Sequence, residues 1–282
     1  MRYSLLTLWG IMAGECERGP AMVQLKSKGQ LKSPGEIEMM REAGRVVARA
    51  LSAVEAEAAV GSTLKQLDDV AAAVIKGAGA KPAFLDYHPK WAPTPFAGVI
   101  CASVNNGIVH GVPDGRELRD GDLVSIDCGA FLDGWCGDAA VSFIVGQEDS
   151  ADVDLIAATE AALLRGIEAA QPGGRMGDIG HAIAGPARAA GYGLLENHGG
   201  HGIGRAMHEA PHVPNEGRVG RGMKLRGGLV IAIEPMLIHG GDDRYIHAAD
   251  GWELQSASGA RAAHCEHTIA ITADGPQILT RL

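Results

Sequence analysis

The stretch Leu123-Val124-Ser125-Ile126-Asp127-Cys128-Gly129-Ala130-Phe131-Leu132-Asp133-Gly134-Trp135-Cys136-Gly137-Asp138 decides how this chain is read, because Asp133-Gly134 sits between two apolar runs. An Asp-Gly pair in that setting predicts a two-residue β-hairpin turn, in which both positions need a positive φ. Such a turn sets Leu132 opposite Trp135 and, counted along the ladder, Gly129 opposite Asp138. Asp127, two residues from Gly129, then points from the same sheet face as Asp138. Diagonal neighbours of this kind are about 7–8 Å apart at the backbone, within reach of one cation held between the side chains. A bulge at the turn would send one carboxylate to the other face.

Towards the N-terminus, Ser33-Pro34-Gly35-Glu36 is a capping box with proline at the first helical position, and Ile37, Met40, Val47, Leu51 and Val54 follow at helical spacing. Thr63-Leu64-Lys65-Gln66 opens a second helix with Leu64, Leu67, Val70, Ala71, Val74 and Ile75 on one face. Strands are expected over residues 99–104, 123–128 and 135–145, helices over 153–170 and 177–190, and strands again from 229 onward. The chain reads as α/β (α+β), in two successive halves of helices followed by strands. Leu118-Arg119-Asp120-Gly121-Asp122-Leu123-Val124-Ser125-Ile126-Asp127 aligns with Leu225-Arg226-Gly227-Gly228-Leu229-Val230-Ile231-Ala232-Ile233-Glu234, each run closing on a carboxylate. A duplication would set those two acids symmetrically at the ends of equivalent strands, which is one way for a two-metal site to arise.

Two further acids lie in apolar runs: Glu234 ends Ile231-Ala232-Ile233, and Glu266 precedes His267-Thr268-Ile269-Ala270-Ile271. An unpaired buried carboxylate costs several kcal/mol, so four such acids on core strands ask for compensation. Salt bridges are the common answer, but these strands offer no matching basic partners, which favours a metal pair. A fifth candidate is His201 in Asn197-His198-Gly199-Gly200-His201-Gly202-Ile203-Gly204, read as a loop whose glycines leave room for backbone and ion to approach. The run continues through Arg205-Ala206-Met207-His208-Glu209, too particular for a generic turn. His110, after the expected strand end, reads on its own as a structural histidine.

Composition sets the outer bounds. The 282 residues predict one or two domains, and 46% hydrophobic with 21% charged residues is a globular composition. The net charge of −9, with no stripe of Lys or Arg, argues against a nucleic-acid groove and suits a cation. The apolar stretch of residues 5–13 falls short of the roughly 20 needed to span a bilayer, so no membrane association is expected. Five cysteines (Cys16, Cys101, Cys128, Cys136 and Cys265) without a C-x-x-C pair fit reduced thiols in a cytoplasm. Three readings are open for the first thirty residues: a secretory signal, a leader without a core of its own, or an upstream extension with the true start at Met22.

Taken together, Gly200-His201-Gly202-Ile203-Gly204-Arg205 with His208-Glu209, Ile233-Glu234-Pro235, Glu266-His267-Thr268, residues 96–105 followed by His110-Gly111, and the spacing of Asp127 and Asp138 resemble the type I methionine aminopeptidases from about Leu31 to Leu282. The resemblance implies a pita-bread fold over residues 31–282, with two pseudo-symmetric halves around a dinuclear centre. It implies two divalent ions per chain (Co, Fe, Mn or Zn) held by Asp127, Asp138, His201, Glu234 and Glu266, with Asp138 and Glu266 bridging. The implied reaction removes the N-terminal methionine of newly made proteins, preferably before a small second residue, through a bridging hydroxide. In that scheme Glu234 carries the water's proton, His208 hydrogen-bonds the developing oxyanion, and His110 contacts the scissile nitrogen.

Tyr87, Cys101, Met207 and Trp252 fall by resemblance near the methionine pocket, where Met207 and Cys265 replace residues that are often aromatic in the family and leave it more pliable. The extra segment His88-Pro89-Lys90-Trp91-Ala92-Pro93-Thr94-Pro95 reads as a rigid rim to the cleft. The expected protein is cytoplasmic and monomeric, with peptide N-termini and the ribosome as partners and no direct nucleic-acid or membrane binding.

Two alternatives are weaker. A proline-specific (Xaa-Pro) peptidase of the same fold would share the five ligands but typically carries a further N-terminal domain, and about thirty residues are too few for one. A metal-free pita-bread binding module would show substituted ligands, and none of the five is substituted. No G-x-S-x-G elbow or phosphate-binding G-x-x-x-x-G-K-[ST] loop occurs.

Overall fold

In the computed structural model, which describes residues 29–282, the hairpin forms in the expected register. Asp133 and Gly134 take φ values of 49° and 76°, Leu132 pairs with Trp135, and Gly129 pairs with Asp138. The readings offered for residues 1–28 lie outside the described residues.

The first half contains α1 (Pro34–Glu57), α2 (Leu64–Gly77), β1 (Lys81–Pro82), β2 (Ile100–Val104), β3 (Gly107–Val109), β4 (Asp122–Leu132) and β5 (Trp135–Val145). The second opens with α3 (Ser150–Ala169) and α4 (Met176–Ala189), then β6 (Gly193–Leu194), β7 (Gly199–Gly202), β8 (Glu209–Pro214) and β9 (Val230–Ile233). It closes with β10 (Met236–Ile238), β11 (Tyr245–His247), β12 (Leu254–Ser256), β13 (Ala262–His264), β14 (Glu266–Thr272) and β15 (Gly275–Ile278).

Helix starts follow the sequence signals. The Glu36 carboxylate accepts from the Ser33 N–H at 2.8 Å, and the Gln66 side chain accepts from the Thr63 N–H at 2.7 Å, closing both capping boxes. Strand β4 runs beyond the expected residue 128 to Leu132, because its ladder with β5 is unbroken up to the turn. Strands β1, β3, β6, β7 and β8 are not among the expected ones, being short or glycine-rich and lacking apolar alternation.

A nine-stranded sheet orders its main path β1-β4-β5-β14-β9-β7-β8, with β2 also on β4 and β15 on β14. Late in the chain, β14 inserts between β5 and β9 and joins the halves. Its ladder with β5 covers only Glu266 opposite Ala140 and His267 opposite Ala139. Hydroxyls extend the seam: Thr268 Oγ1 accepts from the Asp138 N–H at 3.0 Å and donates to the Asp138 carbonyl at 2.8 Å. Ser142 Oγ likewise accepts from the His264 N–H at 3.0 Å and donates to its carbonyl at 2.8 Å.

Each half has its own core. Val47, Leu51, Leu67 and Ile75 of α1 and α2 pack on Ile100, Val124 and Ile126, while Leu155, Leu163, Ile179 and Ile183 of α3 and α4 pack on Ile231, Ile233, Ile269 and Ile271. The internal repeat is repeated in the hydrogen bonds. Gly61 N–H donates to the Leu118 carbonyl and Leu118 N–H to that of Ser62; Gly173 and Gly174 make the same pair of bonds with Leu225. Gly121 and Gly228, aligned in the repeat, both adopt positive φ, 80° and 90°. The acids are not equivalent in placement, however: Glu234 directly follows β9, whereas Asp127 lies inside β4, because that strand continues to the hairpin turn. No helix among the described residues is long and apolar enough to cross a membrane.

Candidate metal centre

The five ligand candidates come from five consecutive strands of the sheet. In spatial order they are Asp127 on β4, Asp138 on β5, Glu266 on β14, Glu234 directly after β9, and His201 on β7. On β4, Ile126 and Cys128 turn into the helix-side core, so strand alternation sends Asp127 to the opposite face. Gly129 keeps that face open: a Cβ there would lie 2.9 Å from the Phe84 ring and 3.2 Å from Asp138 Oδ1.

Asp138, His201 and Glu266 each offer a ligand atom within 4.8 Å of the others. His201 Nε2 stands 3.9 Å from Asp138 Oδ2 and 3.7 Å from Glu234 Oε1. These separations exceed hydrogen bonds and suit groups facing a common ion. Asp127 Oδ1, Asp138 Oδ1 and Glu266 Oε1 are buried without any hydrogen-bond partner, and no Lys or Arg pairs with these acids among the described residues.

Burial dominates the electrostatics. It pushes Asp138 up to about 7, and burial followed by the Asp138 charge pushes Glu234 up to about 8. Asp127 and Glu266 lie well above the usual carboxylate range for the same reasons. Four carboxylates that repel one another in a dry site, with orphaned oxygens and one imidazole, fit divalent cations as the missing charge. The Nδ1 of His201 lies 2.9 Å from the Gly202 carbonyl, which fixes its proton there and turns the Nε2 lone pair to the acids.

The His201 segment is expected as a loop whose glycines admit backbone and ion; the backbone part of that expectation holds, the loop does not. It is strand β7, and its glycines admit neighbouring backbone: a Cβ on Gly200 would meet the Ala232 carbonyl at 2.1 Å, and one on Gly202 the Ala210 carbonyl at 2.3 Å. Glu209 also has a structural task. It pairs with Lys32 at 2.7 Å and accepts from the N–H groups of Arg205 and Ala206, shaping the turn that presents His208.

His208 stacks obliquely on His201 with centroids 4.3 Å apart, and its Nδ1 is 3.2 Å from the Tyr87 hydroxyl. Burial lowers His208 to about 4 and His110 to about 3, so both rings are neutral near pH 7. His110 takes a positive φ of 62°, its Nδ1 is buried without a partner, and Trp91 stacks on its ring at 6.3 Å. Cys101, Met207 and Trp252 are buried in one apolar cluster with Phe84 and Phe96, with Tyr87 at its edge. Residues 88–95 form a rim there: Trp91 meets Trp252 edge-on at 5.0 Å, and Trp252 Nε1 donates to the Thr94 carbonyl. The four described cysteines are free and buried.

The sequence reading missed His264, whose Nε2 lies 3.8 Å from Glu234 Oε2 and 3.9 Å from Glu266 Oε2. A signal was available, since His264 precedes Glu266 by two residues in an extended run and so shares its face. The Asn215 amide, which donates to the Glu234 carbonyl at 2.9 Å, gave no such signal.

The profile of metallopeptidase family M24 matches residues 38–273. Methionine aminopeptidase 1 of Mycobacterium tuberculosis is 49% identical over 256 residues, covering 88% of this chain and 94% of that protein. The Bacillus subtilis protein of the same name is 41% identical over 252 residues, covering 89% and 98%. The crystal structure of the methionine aminopeptidase of Thermotoga maritima superposes with a TM-score of 0.86 at 39% identity, over 90% of this chain and all of that one (100%). The prolidase of Pyrococcus furiosus shares the fold, with a TM-score of 0.72 at 23% identity and 65% of its length covered.

Proposed function

This chain belongs to metallopeptidase family M24, among its methionine aminopeptidases, and from that premise we propose that the five-strand row of ligands is its catalytic metal centre. The reaction is the metal-dependent hydrolysis of the peptide bond that follows an N-terminal methionine, and the substrates are peptide N-termini. The observation that carries the site reading is the group of buried, unpartnered carboxylate oxygens on Asp127, Asp138 and Glu266, with Asp138 and Glu266 gathered around His201 and no basic partner among the described residues.

Two divalent ions bound there would supply Lewis acidity and a water of lowered pKa. Asp138 and Glu266 occupy the middle of the row, between Asp127 on one flank and Glu234 and His201 on the other, and would be the residues to hold both ions. Four oxygen donors and one imidazole suit Fe, Mn, Co or Zn. Glu234, whose side chain keeps 16% exposure, takes a proton from the attacking water and returns one to the leaving amine. As donor to His208 Nδ1, 3.2 Å away, the Tyr87 hydroxyl would leave Nε2 as an N–H donor for the developing oxyanion. His110, held in a left-handed conformation with an unpaired nitrogen, meets the scissile amide. The cluster of Tyr87, Cys101, Met207 and Trp252 receives the methionine side chain. A small second residue is favoured, newly made proteins are the natural source of substrate, and the ribosome is the partner that presents them.

The test is hydrolysis of Met-Ala-Ser by the metal-stripped and refilled protein, alongside Gly-Pro. Activity should vanish on stripping, return with metal, and be absent on Gly-Pro. Asp138→Ala should abolish it; full activity in that variant would overturn the bridging role.

A further inference from the structure

His264 ends β13 with its side chain 3% exposed and its Nε2 without a hydrogen-bond partner among the described residues. That nitrogen is aimed at two acids, Glu234 Oε2 at 3.8 Å and Glu266 Oε2 at 3.9 Å, both beyond hydrogen-bond length. Its backbone cannot drift, because Ser142 Oγ holds both the N–H and the carbonyl of His264 and the residue pairs with Met236 of β10. The two oxygens of Glu234 are divided between two imidazoles. Oε1 faces His201 Nε2 at 3.7 Å, while Oε2 faces His264.

An ion taken up by His201, Asp138 and Glu266 would find Oε1 of Glu234 on its side and leave Oε2 turned away from it. A ring lone pair aimed at two carboxylates would be repelled by both, so the acids select the tautomer with hydrogen on Nε2. Once the carboxylates are ionised and drawn together by metal, a donor between their outer oxygens can tighten onto them.

We propose that His264 is a positioning residue of the metal centre: its Nε2–H donates to Glu234 Oε2, with Glu266 Oε2 as second acceptor, and so keeps Glu234 Oε1 turned towards His201 and the ion. This rests on the ligand set proposed above. A metal-binding residue is held by such outer contacts as much as by the ion, and losing one typically costs about 10–100-fold in metal affinity.

The experiment titrates Mn2+ calorimetrically into metal-stripped wild type, His264→Leu and His264→Gln, and records the visible spectrum of each with Co2+. Leucine fills the space and cannot donate; glutamine keeps an N–H donor. His264→Leu should bind Mn2+ at least about tenfold more weakly, with an altered Co2+ band, and His264→Gln should restore both. Melting of the metal-free proteins checks that each variant is folded. A folded His264→Leu that binds like wild type would overturn the positioning role. So would a His264→Gln as weak as the leucine variant, which would point to direct ligation by the ring. Failure of wild type to bind metal would overturn the ligand set itself.

Discussion

At the scale of single residues, the chemistry depends on which nitrogen of each imidazole carries the proton. In the proposed scheme the Gly202 carbonyl, which accepts from His201 Nδ1–H, leaves Nε2 to ligate the ion, and the Tyr87 hydroxyl, donating to His208 Nδ1, leaves Nε2–H as the donor. Removing the donor itself, His208→Ala, should lower kcat/KM on Met-Ala-Ser by about 10²–10³. Tyr87→Phe removes only the tautomer lock, one neutral hydrogen bond worth about 1 kcal/mol, so the expected loss is about fivefold. Metal uptake, followed by calorimetry, should be unchanged in both; a Tyr87→Phe enzyme with full activity would mean that the hydroxyl does not set the ring.

At the scale of elements, glycine position decides how closely strands can pack. On β7, any side chain at Gly200 would enter the backbone of β9 at Ala232. Gly200→Ala should therefore part the two strands that carry His201 and Glu234, lowering stability by about 1–3 kcal/mol and weakening metal binding along with it. Gly77, exposed in the last turn of α2, has nothing within 4 Å of an added Cβ. Gly77→Ala should raise stability by about 0.5–1 kcal/mol through helix propensity alone. Thermal denaturation of the two variants checks both signs; equal effects would contradict the packing argument. The hydroxyl seam belongs to this scale too, since Thr268 secures the backbone of Asp138 where the β5–β14 ladder has ended.

At the scale of the whole molecule, four acids at the joint between two cores make stability depend on pH and metal together. Asp138 and Glu234, raised to about 7 and 8 in the metal-free fold, bind protons that the unfolded chain has already released. The metal-free protein should therefore lose stability as pH rises from about 4 to about 8, while metal, which displaces those protons, should bind more tightly over the same window. Metal at a hundred times its dissociation constant adds about 2.7 kcal/mol, a rise in Tm on the order of 5–10 °C. Melting with and without chelator at pH 5.5 and pH 8 should show a larger difference at pH 8; the reverse order would contradict the buried-acid reading. Much of this architecture was legible in one dimension. Capping boxes, the Asp133-Gly134 turn and the alternation around Asp127 are local rules, so α1, α2 and the register of the hairpin followed directly from short stretches of residues. The repeat around Leu118 and Leu225 was legible as well, because equivalent backbone contacts demand similar residues. The glycine-rich β7, the seating of Gly200 against Ala232 and the partnership of His264 with Glu234 and Glu266 were not, because they depend on what lies across a strand interface and not along the chain. Tertiary structure alone decided the order β4, β5, β14, β9, β7: the insertion of the late strand β14 between two earlier ones sets Glu266 beside Asp138, and long-range pairing of that kind leaves no periodic mark on the sequence.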